Sequence, residues 1–138
     1  MEKYKLFVDG ASRGNPGPAA YAFMLLGDKE EILKQGYGYI GNQTNNIAEY
    51  TAIINGLKVA KKLTNGTLRV YSDSTLVVKQ MNGQYEVKAE HIFKLHTKVK
   101  KLVQNFKRVE FTHVKRNHEF IEKCDFLCNK CLDNMNLK

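Results

Sequence analysis

The stretch that most constrains the fold of this chain is its first strand together with the loop that leaves it. Residues 3–9 alternate between polar and apolar side chains and are rich in β-forming types, so they predict a strand. The strand ends on a carboxylate, Asp9, and residues 10–18 then supply glycines, small polar residues and both prolines of the chain. The sequence therefore predicts a strand that presents one acid, beside residues small enough to let a ligand approach the main chain.

The rest of the chain predicts two more strands and then an alternation of helices and strands. Strands are predicted at 19–26, 32–40, 68–72 and 109–114, and helices at 47–63, 74–81, 90–104 and 122–134. This order predicts an α/β fold with a five-stranded mixed sheet, an antiparallel meander followed by parallel strands, flanked by helices. The 138 residues have the length of one ordinary domain, so we expect a single domain over residues 1–138.

Composition and charge narrow the classes of partner. The formal net charge of +8 favours a polyanion such as nucleic acid, although many soluble proteins are basic without binding one. No segment approaches the roughly 18 consecutive apolar residues of a membrane span, so we expect no membrane association. The N-terminus lacks the basic-then-apolar pattern of a signal peptide, which predicts a cytoplasmic protein.

The three cysteines lie at 124, 128 and 131, a spacing that places them on one face of a helix. A zinc site would need a fourth ligand and usually a Cys-x-x-Cys pair across a turn. We therefore interpret them as core thiols, and their odd number favours a reducing compartment.

Four carboxylates stand where predicted elements begin or end: Asp9, Glu49, Asp73 and Asp125. If they converge, their mutual repulsion requires cations, and oxygen ligands select Mg²⁺, with Mn²⁺ as a possible substitute. Such a paired-metal site is suited to phosphodiester hydrolysis. Structural roles compete with this interpretation, because Glu49 follows Asn46 with capping-box spacing, Asp73 precedes a helix, and Asp9-Gly10 is a turn pair.

Four stretches of the chain resemble type 1 ribonuclease H in order, spacing and placement. They lie within residues 7–21 (containing DGASRGNPGP), 44–52 (NNIAEY), 71–77 (SDST) and 122–129 (KCDF). The resemblance implies endonucleolytic cleavage of the RNA strand of an RNA/DNA hybrid, which leaves 5′-phosphate and 3′-hydroxyl ends. It also implies that the four acids bind two Mg²⁺ ions, and it implies no protein partner.

The same resemblance implies a set of substrate contacts. Discrimination of RNA from DNA must come from the ribose 2′-hydroxyl, which Glu49 can bind as an acceptor. The RNA strand is expected at Gly10, Ala11, Ser12 and Asn46, the DNA strand at Thr44 and Asn45, and further substrate contacts at Asn15 and Thr75.

Two departures from familiar bacterial members concern product release and DNA binding. Those members carry a histidine in a glycine-rich loop about ten residues before the last acid, whereas His118 lies seven residues before Asp125 in a loop without glycine. We expect His118 to assist catalysis, with Glu119 and Glu122 as rivals. The chain also lacks a tryptophan-rich protrusion, and lysines of residues 94–107 with Lys115 and Arg116 are its candidate electrostatic surface.

Two other functions stay open at this point. The fold could serve a nuclease acting on other substrates, such as double-stranded RNA, or a 3′-to-5′ exonuclease. The exonuclease is disfavoured because Asp9-Gly10-Ala11 differs from the Asp-x-Glu pair of those enzymes. The chain could also be a non-catalytic hybrid-binding module, which the presence of all four acids disfavours.

Overall fold

The structure, a computed structural model, describes residues 3–135 and contains nine elements in this part of the chain. The strands are β1 (Lys3–Ser12), β2 (Gly17–Leu26), β3 (Ile32–Gln43), β4 (Thr67–Ser72) and β5 (Arg108–His113). The helices are α1 (Asn45–Ala60), α2 (Thr75–Met81), α3 (Glu90–Val103) and α4 (Glu119–Asn134). The order of strands and helices is the one that the sequence predicts.

The five strands form one mixed sheet in the order β3-β2-β1-β4-β5. β1, β2 and β3 pair antiparallel, whereas β4 pairs parallel with both β1 and β5. The predicted fold class, an antiparallel meander followed by parallel strands, is therefore confirmed. β1 lies at the centre of the sheet, and its parallel pairing with β4 stops at Phe7 and Tyr71, near the end of β4, where ligands gather in sheets of this kind.

Helices cover the two faces of the sheet, and the alternation along β1 divides its side chains between them. Leu6 and Val8 are buried in the core that includes α1, and Phe7 is buried in the core beneath α4. Cys124, Cys128 and Cys131 belong to the second core, which confirms the prediction of core thiols. Within residues 3–135, none of the helices combines the length and the apolar character that crossing a membrane requires.

The helix starts differ from prediction, and the difference frees two acids. Thr44 caps α1 by accepting a hydrogen bond from the Ile47 N–H, so the helix begins at Asn45 rather than 47 and the expected capping box is wrong. Ser74, not the preceding aspartate, caps α2. Glu49 and Asp73 are thus not used as caps.

Other bounds also moved. β1 does not end at Asp9 as predicted but continues to Ser12, because pairing with β2 extends to Ala19. β3 continues to Gln43, through residues that the polar composition of 41–46 assigned to a loop, because pairing with β2 extends to Gly17. α1 ends at Ala60, where the sequence pattern extended to 63. α4 begins at Glu119, three residues before the predicted start.

Candidate active site

Three of the four predicted acids meet at the end of the central strands. Asp9 projects from β1, Glu49 lies near the start of α1, and Asp73 directly follows β4. One carboxylate oxygen from each lies within 4.8 Å of the others. Because β1 and β4 pair in parallel with Phe7 opposite Tyr71, Asp9 and Asp73, each two residues further along, come to the same end of this pairing.

The approach of α1 to β1 requires the glycine that follows Asp9. A Cβ atom on Gly10 would lie 2.5 Å from the main chain of Ala48 and Glu49. The close approach lets the Gly10 N–H donate a hydrogen bond of 3.0 Å to Glu49 Oε1. The sequence analysis explains Gly10 by access for a ligand, and the structure adds a second reason, the close packing of α1 against β1.

Burial and mutual repulsion make the three carboxylates costly to charge. Burial is the main cause that raises the pKa of Asp9, and the charges of Glu49, Asp73 and Asp125 raise it further. Burial likewise raises the pKa of Glu49, and hydrogen bonds with the side chain of Asp9, the Ser72 hydroxyl and the Gly10 N–H lower it in part. The pKa of Asp73 is raised by burial and partly restored by the positive charge of Arg116.

The donor set of this cluster fits divalent cations. Among residues 3–135, the ion pairs all lie elsewhere and leave the four acids without a Lys or Arg in contact. An all-oxygen set of acids without a direct ion pair suits Mg²⁺ or Mn²⁺ rather than zinc. Asp9, Glu49 and Asp73 are therefore the residues that could hold a metal ion.

Asp125 joins the other acids across an open cleft of about 440 Å³. It projects from α4, half-buried, and lies outside the cluster of three that meets the 4.8 Å limit. All four acids nevertheless line the same cleft, and the charge of Asp125 acts on both Asp9 and Asp73. The cleft thus brings the four predicted acids together.

The predicted substrate residues divide into two groups. Gly10, Ala11, Ser12, Asn45 and Asn46 line the cleft with the acids. The remaining three, Asn15, Thr44 and Thr75, do not belong to its lining.

The local bonds of the second group explain its placement. The Asn15 side chain accepts a hydrogen bond from the Asn45 N–H at 3.1 Å, and Thr44 is the cap of α1. Thr75 is exposed in the first turn of α2. The first two residues shape the loop beside the cleft, and the substrate roles of all three stay predictions.

His118 occupies a different environment from the acids. Its Nδ1 accepts a hydrogen bond from the Phe120 N–H at 3.2 Å, which caps α4, and its ring centroid lies 4.8 Å from that of Phe7. His118 does not belong to the cleft lining, whereas its neighbour Arg116 does. The structure thus gives His118 a capping position, and its catalytic role stays a prediction.

Four residues of the cleft lining were not predicted as site residues: Arg13, Ser74, Arg116 and Asn129. Asn129 follows Asp125 by one helical turn, a spacing that the sequence already contained. Arg13 lies within the loop motif, where its guanidinium pairs with Asp133 of α4. The sequence predicts Arg116 only as part of a basic surface, because its electrostatic effect on Asp73 depends on the path of the loop after β5.

Comparison with known proteins places this architecture in a family. The family described as "Reverse transcriptase-like" matches residues 7–131. A bifunctional protein of Mycobacterium tuberculosis is 39% identical over 132 residues, which are 95% of this chain and 36% of that protein. The chain therefore spans about a third of the length of this relative.

Two solved structures match over nearly the full length of both chains. The N-terminal RNase H domain of a Mycobacterium tuberculosis protein, solved as a fusion, has a TM-score of 0.91 and 36% identity, covering 97% of this chain and 96% of that one. LC11-RNase H1, solved in complex with an RNA/DNA hybrid, has a TM-score of 0.89 and 31% identity, covering 96% and 98%. Together with the arrangement of the four acids, these matches establish that the chain belongs to the type 1 ribonuclease H family.

Proposed function

We propose that this protein is a metal-dependent endoribonuclease that hydrolyses the RNA strand of RNA/DNA hybrids. The observation that carries the proposal is the convergence of Asp9, Glu49, Asp73 and Asp125 on one open cleft. The complex of the similar LC11-RNase H1 with an RNA/DNA hybrid supports the choice of substrate. In this proposal a water molecule is the nucleophile, so no Ser or Cys is needed.

The proposal assigns two Mg²⁺ ions to the four acids, with Mn²⁺ as a possible substitute. When bound, the ions would lower the pKa of the attacking water and stabilise the leaving oxygen. Cleavage on the 3′-oxygen side of the phosphate would leave 5′-phosphate and 3′-hydroxyl ends. The carboxylates of the chain itself would orient the ions and exclude competing ligands from the buried side of the cleft.

The residues beside the acids are assigned to recognition of the hybrid. Gly10 and Ala11 offer main chain in the cleft wall, and the neighbouring Asn45 and Asn46 offer side-chain donors and acceptors. The RNA strand would lie along Gly10, Ala11, Ser12 and Asn46, where the 2′-hydroxyl can be recognised. Asn45 and Thr44 would contact the DNA strand, and the net charge of +8 would attract both strands.

The proposal treats residues 1–138 as one ribonuclease H catalytic domain that works in the cytoplasm. The three cysteines are all free and buried, which fits a reducing compartment. His118 is assigned to assistance at product release, and no protein partner is assigned.

The test is a cleavage assay on a uniform RNA/DNA hybrid with wild-type protein and Asp73→Asn, in Mg²⁺ and in EDTA. We expect Asp73→Asn to slow cleavage at least about 100-fold, because loss of a direct ligand should exceed the usual 10–100-fold effect of an outer-shell partner. A circular dichroism spectrum like that of the wild type would show that the fold is kept. Cleavage by Asp73→Asn at the wild-type rate would contradict the site.

Matched substrates separate the proposal from its alternatives. Labelled hybrid, duplex RNA and single-stranded RNA of one sequence are compared, and the ends of the products are tested for a 5′-phosphate by phosphatase sensitivity. Preferred cleavage of duplex RNA would indicate another nuclease of the same fold. Hybrid binding without turnover in Mg²⁺ or Mn²⁺ would indicate a non-catalytic binding module.

A further inference from the structure

We propose that Ser72 is a positioning residue for Glu49, whose carboxylate it holds in the orientation that cation binding requires. The inference rests on the proposed function, since it concerns the same cluster of acids. It assigns a role to a residue that bears no charge and does not belong to the cleft lining.

Ser72 is the last residue of β4 and is nearly inaccessible, with 2% of its surface exposed. Its Oγ donates a hydrogen bond of 2.9 Å to Glu49 Oε2. The N–H of Ser74 donates to the same Oγ at 3.0 Å. Because a hydroxyl has one proton, and the Ser74 N–H occupies one of its acceptor positions, that proton is directed at Glu49.

Glu49 is held at both of its oxygens. Ser72 donates to Oε2, and the Gly10 N–H donates to Oε1 at 3.0 Å. Only 5% of the surface of Glu49 is exposed, so solvent offers little to replace a lost donor. Two donors on opposite oxygens fix the rotation of the carboxylate as well as its position.

The two hydrogen bonds join all three segments that carry the clustered acids. Gly10 directly follows Asp9, and Ser72 directly precedes Asp73, so each donor is adjacent in sequence to one of the other acids. Glu49 is therefore tied to β1 and to β4 at the same time. Partners of metal-binding carboxylates usually act in this way, by fixing the orientation of the ligand before the metal arrives.

A purely structural role for Ser72 would make a different prediction. If the hydroxyl only satisfied the Ser74 N–H at the start of α2, its loss would lower stability without a specific effect on the acids. The two roles are distinguished by the affinity of the protein for a metal ion in the absence of nucleic acid, because that quantity depends on the placement of Glu49.

The experiment measures Mn²⁺ binding by isothermal titration calorimetry to metal-stripped wild type, Ser72→Ala and Ser72→Thr. Thr97→Ala is the matched control, because the Thr97 hydroxyl donates a hydrogen bond of the same length, 2.9 Å, to Phe93 on α3, away from the acids. Melting temperatures of all four proteins are recorded in EDTA. Should Ser72→Ala fail to fold, Ser72→Cys, which keeps the volume with a weak donor, replaces it under the same criterion.

We expect Ser72→Ala to weaken Mn²⁺ binding by about 10–100-fold, Ser72→Thr to stay within threefold of wild type, and Thr97→Ala to be unchanged. A loss of less than fivefold in Ser72→Ala would overturn the role of Ser72. Absence of Mn²⁺ binding by the wild type would instead contradict the proposed function, so the two failures are distinguishable.

Discussion

Two clusters of buried ionisable groups, the acids of the cleft and the thiols of α4, meet at β1, and burial has opposite consequences for them. Cys128 donates from its thiol to the main-chain carbonyl of Asp9, at 3.7 Å, so thiols of α4 lie directly behind the acids. Burial raises the pKa of the Cys124 and Cys128 thiols, and it raises the pKa of Asp9 and Glu49. A thiol is neutral at pH 7 before the shift, whereas a carboxylate is charged.

Desolvation therefore costs the thiols little, because they are neutral when buried, whereas it makes the carboxylates costly to ionise. The thiols remain neutral, and they pack between α4 and the sheet as part of the second core. The acids remain buried at a cost that cations can offset. A raised pKa therefore points to a functional site in this protein only for the carboxyl groups, which would otherwise be charged at pH 7, and not for the thiols.

The largest effect that tests this comparison concerns Asp125, the acid outside the tight cluster. We expect Asp125→Asn to slow hybrid cleavage at least about 100-fold, because the charge lines the cleft and acts on Asp9 and Asp73. Glu30→Gln is the control, because this exposed acid pairs with Lys5 outside the cleft, and its rate should stay within threefold. Equal rates in the two variants would exclude Asp125 from the functional cluster.

The thiol cluster should show the reverse pattern, with stability lost and activity kept. Cys124 is fully buried and its thiol donates to the Phe7 carbonyl. We expect Cys124→Ala to lower the free energy of unfolding by about 1–2 kcal/mol, or about 3–7 °C in melting temperature for a chain of this length. Urea unfolding and the cleavage rate are measured together. A slower rate at unchanged stability would break the comparison, since it would give the thiols a functional role.

The smallest effect is a gain in stability on removing an acid. In EDTA at pH 8 we expect Asp9→Asn to raise the melting temperature by about 3 °C, equivalent to about 1 kcal/mol. The raised pKa of Asp9 makes the wild type bind a proton on folding at this pH, whereas the Asn side chain needs none and keeps a polar group beside Glu49. In Mg²⁺ the order should reverse, since only the wild type gains the binding energy of the ions.

The pH dependence of the stability gain in Asp9→Asn follows from the direction in which the pKa values of Asp9 and Glu49 are shifted. The folded-state pKa values of Asp9 and Glu49 lie above their ordinary values of 3.8 and 4.5, so the folded protein binds more protons. Their contribution to stability is fully present below pH 3.8 and is lost as pH rises toward neutrality and beyond. The advantage of Asp9→Asn should therefore shrink between pH 8 and pH 4. A gain independent of pH would show that charge is not its cause.

Local sequence patterns were sufficient for the order of elements but not for their ends. The alternation in β1 and the helical spacing in α1 are local signals, and both elements are present. The start of α1 depended on which of two polar residues took the cap, and Thr44 did so rather than Asn46. Thr44 and Asn46 are both common capping residues, so residue type alone does not choose between them. The choice depends on where α1 packs against β1.

The candidate site was likewise predictable in part from local sequence and in part only from the tertiary structure. The sequence by itself determined which acids the chain offers and which strand ends and helices carry them, because these depend on residue type and short-range periodicity. Only the tertiary structure decided that Asp9, Glu49 and Asp73 come within 4.8 Å, that Ser72 donates to Glu49, and that Arg116 lines the cleft where His118 does not. The physical reason is that hydrogen-bond partners and repulsion between charges depend on distances of a few ångströms between segments far apart in the chain, which no local pattern encodes.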